Sequence, residues 1–153
     1  MKIVGRLVLL LSFVVVGTLM TASQVQAASS CHKINAKGAG QDLGNGVTRA
    51  DIIGGGLLQG TTEGNFVITG VSGTVASIAG TVVFTTNNAT VTVTVAGTFD
   101  VATGEFSASG MVTEATGKLA GATGTLLLEG LQNMSDGTFV ENVTGTICVD
   151  LAP

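Results

Sequence analysis

Residues 90–99 read TVTVTVAGTF, and their side chains alternate between two kinds. Val91, Val93 and Val95 fall on one side of an extended chain, and the intervening threonines fall on the other. A period of two residues is the pattern of a half-buried β-strand, and β-branched side chains suit its pleated surface. The segment therefore predicts a strand that turns one face towards a core.

The segment that follows has the same pattern and predicts the partner of this strand. Residues 105–113 place the alternate positions from Phe106 to Val112 on one side. Between the two segments, residues 100–104 read DVATG, which provides turn-forming side chains and a final glycine that accepts positive φ. The two segments together predict an antiparallel hairpin.

Six other segments repeat this alternation less sharply, at about 32–38, 46–58, 62–71, 78–86, 123–132 and 137–150. Short strands separated by glycine-rich turns, with no helical periodicity between them, are typical of barrels and sandwiches. Residues 54–56 are all glycine, which predicts a bulge or a sharp bend where a sheet curls. Eight strands favour an all-β fold with an eight-stranded antiparallel β-barrel, and a β-sandwich is the alternative.

The first 27 residues have the organisation of a secretory signal peptide. Lys2 and Arg6 precede an uncharged apolar run over residues 7–20, and the segment ends in small residues at Ala27. The run is shorter than the roughly 20 residues that a membrane-spanning helix needs. We expect cleavage after Ala27 and a single domain over residues 28–153 in a secreted or periplasmic location. A lipoprotein signal ending at Cys31 is the less favoured alternative, because the branched apolar residue of a lipobox is missing.

The chain has two cysteines, Cys31 and Cys148, one near each end of the expected mature protein. In an oxidising compartment two such cysteines are expected to form a disulfide, and two free thiols are the alternative. A bond between them would place the first and last strands side by side, as the closure of a barrel requires.

The charge of the mature chain narrows the range of partners. Two of the six basic residues lie in the expected signal peptide, so four remain against ten acidic residues, a net charge of about −6. A protein without a basic surface has no electrostatic means of holding a phosphate backbone. We therefore expect neither nucleic acid nor, after signal cleavage, a membrane as a partner.

The sequence offers few catalytic groups. His32 is the only histidine, it neighbours Cys31, and no Gly-x-Ser-x-Gly motif is present. A Ser-His-Asp or Cys-His arrangement is therefore not indicated. One histidine and scattered carboxylates also provide no ligand set for zinc or copper, so we expect no metal and no cofactor.

Two glutamates are weak catalytic candidates because of the face on which they fall. Strict alternation places Glu114 with Phe106 and Val112, and Glu141 with Phe139. If these faces line a barrel, burial raises the pKa of each carboxyl, which is typical of functional acids. The alternative is that they lie at the barrel mouth in water, or that a bulge reverses their direction.

Residues 116–124 read TGKLAGATG and precede an apolar strand. This segment resembles the Thr-Gly-x-aromatic/aliphatic-x-Gly-x-x-Gly turn of the allene oxide cyclase and dirigent-type barrels. Secreted bacterial proteins with this turn also end in a strand like residues 145–148, GTIC. The resemblance implies an eight-stranded antiparallel barrel whose apolar interior holds a hydrophobic molecule. The resemblance assigns no catalytic residue to this chain. The chain has no Tyr or Trp, and no cyclase pocket residue matches a motif here.

These observations predict a secreted, non-enzymatic barrel that either binds a small hydrophobic ligand or has a surface or matrix role. One alternative is a cofactor-independent cyclase or isomerase that uses Glu114 or Glu141. A cavity under roughly 100 Å³, or both glutamates outside it, would exclude this enzyme. The other alternative is an adhesion or assembly protein, which would need an open strand edge for its partner.

Overall fold

The computed structural model describes residues 29–149, and the expected signal peptide over residues 1–27 lies outside them. The described chain forms a closed barrel of eight strands in sequential order, each antiparallel to its neighbours. The predicted eight-stranded barrel is confirmed, and the sandwich alternative is wrong. The strands are β1 Ser30–Gly44, β2 Val47–Gly54, β3 Gly60–Ser72, β4 Val75–Thr85, β5 Thr90–Asp100, β6 Glu105–Ala115, β7 Thr123–Gln132 and β8 Thr138–Val149.

The two largest errors in the predicted strand boundaries both involve glycines. β1 continues to Gly44, six residues past the predicted end at 38, because Gly38 and Gly40 lie beneath side chains of neighbouring strands and do not interrupt the ladder. β2 ends at Gly54, four residues before the predicted end at 58. Residues 54–56 all have positive φ, so the chain leaves the strand there and enters a short 3-10 turn at Gly56–Leu58.

The predicted disulfide is confirmed. Cys31 of β1 lies directly opposite Cys148 of β8 in the ladder that closes the barrel, and the two Cα atoms are 3.9 Å apart. The bond therefore joins the first and last strands at the point where the sheet meets itself.

A packed apolar core fills the end of the barrel near this disulfide, which we call the closed end. Leu58 of the first 3-10 turn and Leu119 of a second, at Gly117–Leu119, are almost completely buried there. They belong to the same core cluster as Phe84, Val91 and Ile147, none of which is exposed. The turn over residues 116–124 thus supplies part of the closed end. No helix in residues 29–149 is long and apolar enough to cross a bilayer.

Candidate functional site

The opposite end, which we call the open end, contains a cavity of about 540 Å³. It lies beneath the β1–β2 and β7–β8 hairpins, whose residues Asp42, Asn45 and Gln132 line its mouth. Most of the cavity wall is apolar, and four phenylalanine rings form part of this apolar surface: Phe66, Phe99, Phe106 and Phe139.

Glycines at inward-facing positions shape the wall of this cavity. A side chain at Gly38 or Gly40 would collide with side chains that lie across them from neighbouring strands. At Gly130 a Cβ atom would collide with the ring of Phe106. The Phe106 and Phe139 rings and the Glu141 side chain therefore lie over glycines along the wall, in space that a side chain at those positions would need.

Glu141 is the acidic residue that this arrangement places inside. A single transverse row of the barrel runs from Phe106 through Gly130 and Glu141 to Gly38. Glu141 therefore has glycine on both neighbouring strands, and a Cβ atom on Gly38 would lie 2.6 Å from its Cγ and Oε1 atoms. Its side chain lies flat over Gly38 and is only 7% exposed.

Burial raises the pKa of the Glu141 carboxyl to about 7, because the charged form loses its hydration. Within residues 29–149, no side-chain hydrogen bond or ion pair offsets this loss. At neutral pH the group is present both as a carboxylic acid, which donates a hydrogen bond, and as a carboxylate, which accepts them. The alternation of β8 predicted this inward direction correctly.

Glu114 was expected on the same inner surface, and this expectation is wrong. A bulge in β6 makes Thr92 pair with Glu114 and Val93 pair with Val112, so that Thr113 is an extra residue. The hydroxyl of Thr113 donates to the carbonyl of Thr92 at 3.4 Å. Past the bulge the alternation is shifted by one, and Glu114 is exposed on the outer surface.

The other polar groups of the lining are few. Gln132 donates through Nε2 to Oδ2 of Asp42 at 3.1 Å, and the Gly44 amide donates to Oδ1 of Asp42 at 2.8 Å. Thr48 and Thr62 add hydroxyl groups to the wall. Asp42 and Glu141 are the ionisable residues of the lining, and both are acids.

His32 lies apart from the cavity. It is half-buried in a separate recess near Gly55 and Leu57, and its Nε2 atom is buried without a hydrogen-bond partner among the described residues. Gly38, the neighbour of Glu141, lies six residues further along β1, roughly 20 Å at about 3.3 Å per residue. The fold therefore does not bring His32 and Glu141 together. Nor does any group of three His, Cys, Asp or Glu side chains within residues 29–149 form a possible metal site.

The sequence did not reveal how the phenylalanines divide between core and cavity. Phe84 is completely buried at the closed end. Phe66, Phe99 and Phe106 are half-buried around the cavity. Phe66, Phe106 and Phe139 each lie opposite a glycine on a neighbouring strand, a signal that can be read only once the register is known.

Comparison with known proteins adds no relative. Scans against protein-family models, curated proteins and solved structures each return no match to this chain.

Proposed function

We propose that this protein is an extracytoplasmic, non-enzymatic binding protein that holds one small hydrophobic molecule in the open end of its barrel. The observation that carries the proposal is the cavity of about 540 Å³ with four phenylalanines in its wall. Ligand pockets of proteins commonly occupy about 300–1,000 Å³ and combine an apolar lining with a few polar groups. The Cys31–Cys148 disulfide is compatible with an extracytoplasmic location.

The test is a titration of the mature chain with Nile red, a neutral dye whose fluorescence rises in apolar surroundings. We expect saturable binding of one dye per chain. Ala108→Phe should abolish it, because Ala108 is buried in the cavity wall and a phenyl ring there would occupy the space. Ser109→Phe is the matched control, since the next residue along β6 is exposed on the outer surface.

Circular dichroism and thermal unfolding would establish that Ala108→Phe still folds, and Val82→Phe provides a second cavity-filling variant. The proposal fails if the folded wild-type chain takes up no dye. It also fails if folded cavity-filling variants bind as the wild type does.

A cofactor-independent isomerase is the second candidate function, and Glu141 is the observation that favours it. An acid with a pKa near neutrality in an apolar cavity suits general acid–base catalysis. Ligand extracted from protein purified from its own host would be incubated with fresh protein. An isomerase would change its chromatographic retention at constant mass and lose this effect in Glu141→Gln, whereas a binding protein would return it unchanged.

The adhesion alternative has less support. Each of the eight described strands has two neighbours in the closed barrel. Strand addition, the mode of assembly that this alternative requires, therefore has no free edge to use here.

We propose a relationship to the allene oxide cyclase and dirigent-type barrels as well. The strand number and the sequential antiparallel order support it. So does the turn over residues 116–124, which places the aliphatic residue Leu119 in the core of the closed end.

A further inference from the structure

The charges around the cavity are unequally distributed. The ionisable residues of its lining, Asp42 and Glu141, are both acids. The basic residues of the described chain are all exposed outside the lining, at Lys33, Lys37, Arg49 and Lys118. An anionic ligand would therefore meet carboxylates in this cavity without meeting a cation that could neutralise it.

The aromatic side chains of the wall favour the opposite charge. A phenylalanine ring has a negative face that attracts a cation within about 6 Å of its centre. Phe106 and Phe139 pack edge to face with their centres 5.9 Å apart. Phe139 is two residues from Glu141 on the same face of β8, and Phe106 belongs to the same transverse row as Glu141. A cation beside the carboxylate would thus have aromatic rings close by.

Both side chains that would contact the ammonium group line the same cavity. The Phe106 ring lies over Gly130 and the Glu141 side chain lies over Gly38, so both lie along the cavity wall. The Glu141 carboxylate has no partner among the described residues, and a buried carboxylate without a partner is unfavourable. An ammonium group placed there would neutralise it.

We propose that the ligand is a hydrophobic amine, bound as its cation, whose ammonium group pairs with Glu141 while its apolar part lies against the phenylalanines. This inference rests on the binding function proposed above and specifies the chemistry of the ligand. It excludes fatty acids and other apolar anions as the preferred occupants.

Three ligands with the same alkyl chain test whether the cavity prefers an ammonium head group to a hydroxyl or a carboxylate. Decylamine, decanol and decanoate would be titrated into the mature chain by calorimetry at pH 8, below their critical micelle concentrations. We expect decylamine to bind about tenfold or more tightly than decanol, as one charge-assisted contact allows. We expect decanoate to bind most weakly.

Glu141→Gln should remove the preference for the amine and leave decanol binding within about twofold of the wild type. Glu129→Gln is the matched control. It makes the same change of charge on the adjacent strand β7, but Glu129 is exposed on the outer surface opposite Asn142. Because the protein is acidic, this control also reveals any non-specific attraction of the amine.

The affinity for decylamine should also depend on pH. Below about pH 7 the free Glu141 is protonated and must lose its proton to pair with the amine, so the dissociation constant should rise about tenfold per pH unit. On the strands that pack against β8, Asp42 of β1 is the titratable residue of the lining, and β7 contributes the neutral Gln132. Asp42→Asn would show how much of the dependence arises there.

The outcomes separate the two proposals. If Nile red and all three alkyl ligands fail to bind, the binding function is wrong. If the dye and the ligands bind but decanol or decanoate equals decylamine, the binding function stands and the amine inference is overturned. The amine inference is overturned in the same way if Glu141→Gln keeps the preference for decylamine.

Discussion

The two ends of this barrel are built from the same alternating strands but filled in opposite ways. At the closed end, large side chains such as Phe84 and Ile147 meet the leucines of the two 3-10 turns, and a disulfide fastens the first strand to the last. At the open end, inward positions such as Gly38 and Gly130 are glycines, and a cavity takes the place of the core.

This difference separates stability from binding within one sheet. The closed end contains most of the completely buried side chains, whose removal from water stabilises the fold. The open end contributes less to the stability of the fold, because the empty volume of the cavity lowers the number of packing contacts. It also contains the buried carboxyl of Glu141, whose charged form has lost hydration. A change at the closed end should therefore alter stability and leave binding intact, whereas a change at the open end should alter binding.

The largest effect should come from removing the disulfide at the closed end. The double variant C31A/C148A should lower the free energy of unfolding by about 4–5 kcal/mol, because the bond closes a loop with a sequence separation of 117 residues. Guanidinium denaturation at pH 7 would measure the loss. Nile red binding under native conditions should be unchanged, and a variant that lost the dye while keeping its stability would contradict the division between the ends.

A smaller effect should come from Glu141 at the open end, and it should depend on pH. Its pKa rises from an ordinary value of 4.5 to about 7 on folding, so between these pH values the folded chain keeps a proton that the unfolded chain has lost. Stability therefore falls as the pH rises from about 4.5 to 7, by up to about 3 kcal/mol, and changes no further above that.

Glu141→Gln removes this titration. The variant should match the wild type at pH 4 and exceed it by up to about 3 kcal/mol at pH 8, as measured by urea denaturation across the range. Glu129→Gln serves as the exposed control and should show no such gain. A wild type whose stability does not differ from that of Glu141→Gln at any pH would mean that the carboxyl is not buried.

The sequence predicted the barrel and its closure because both depend on local pattern. The alternation of residues 90–99 identifies a strand without knowledge of its neighbours, and two cysteines can form only one disulfide. The cavity could not be predicted in this way. It depends on which residues lie opposite one another across strands, such as Gly130 beside Glu141, and register is a long-range property.

The two candidate glutamates also show that local sequence does not reveal register, even within a single strand. Strict alternation placed both inside, and it was right for Glu141 because β8 has no shift in register with either neighbour. It failed for Glu114 because one extra residue in β6 reverses every later side chain. The sequence of β6 gives no sign of this, since threonine is a residue that regular strands favour.

The smallest effect should therefore come from Glu114. Glu114→Gln should change the free energy of unfolding by less than about 0.5 kcal/mol, as expected for an exposed side chain with no hydrogen-bond partner among the described residues. Urea denaturation at pH 8, with Glu141→Gln measured alongside, would compare two glutamates that alternation alone treats as equivalent. A gain at Glu114 as large as that at Glu141 would place both carboxyls inside the barrel. The bulge at Thr113 would then have to be absent in solution, because no other feature of β6 turns Glu114 outward.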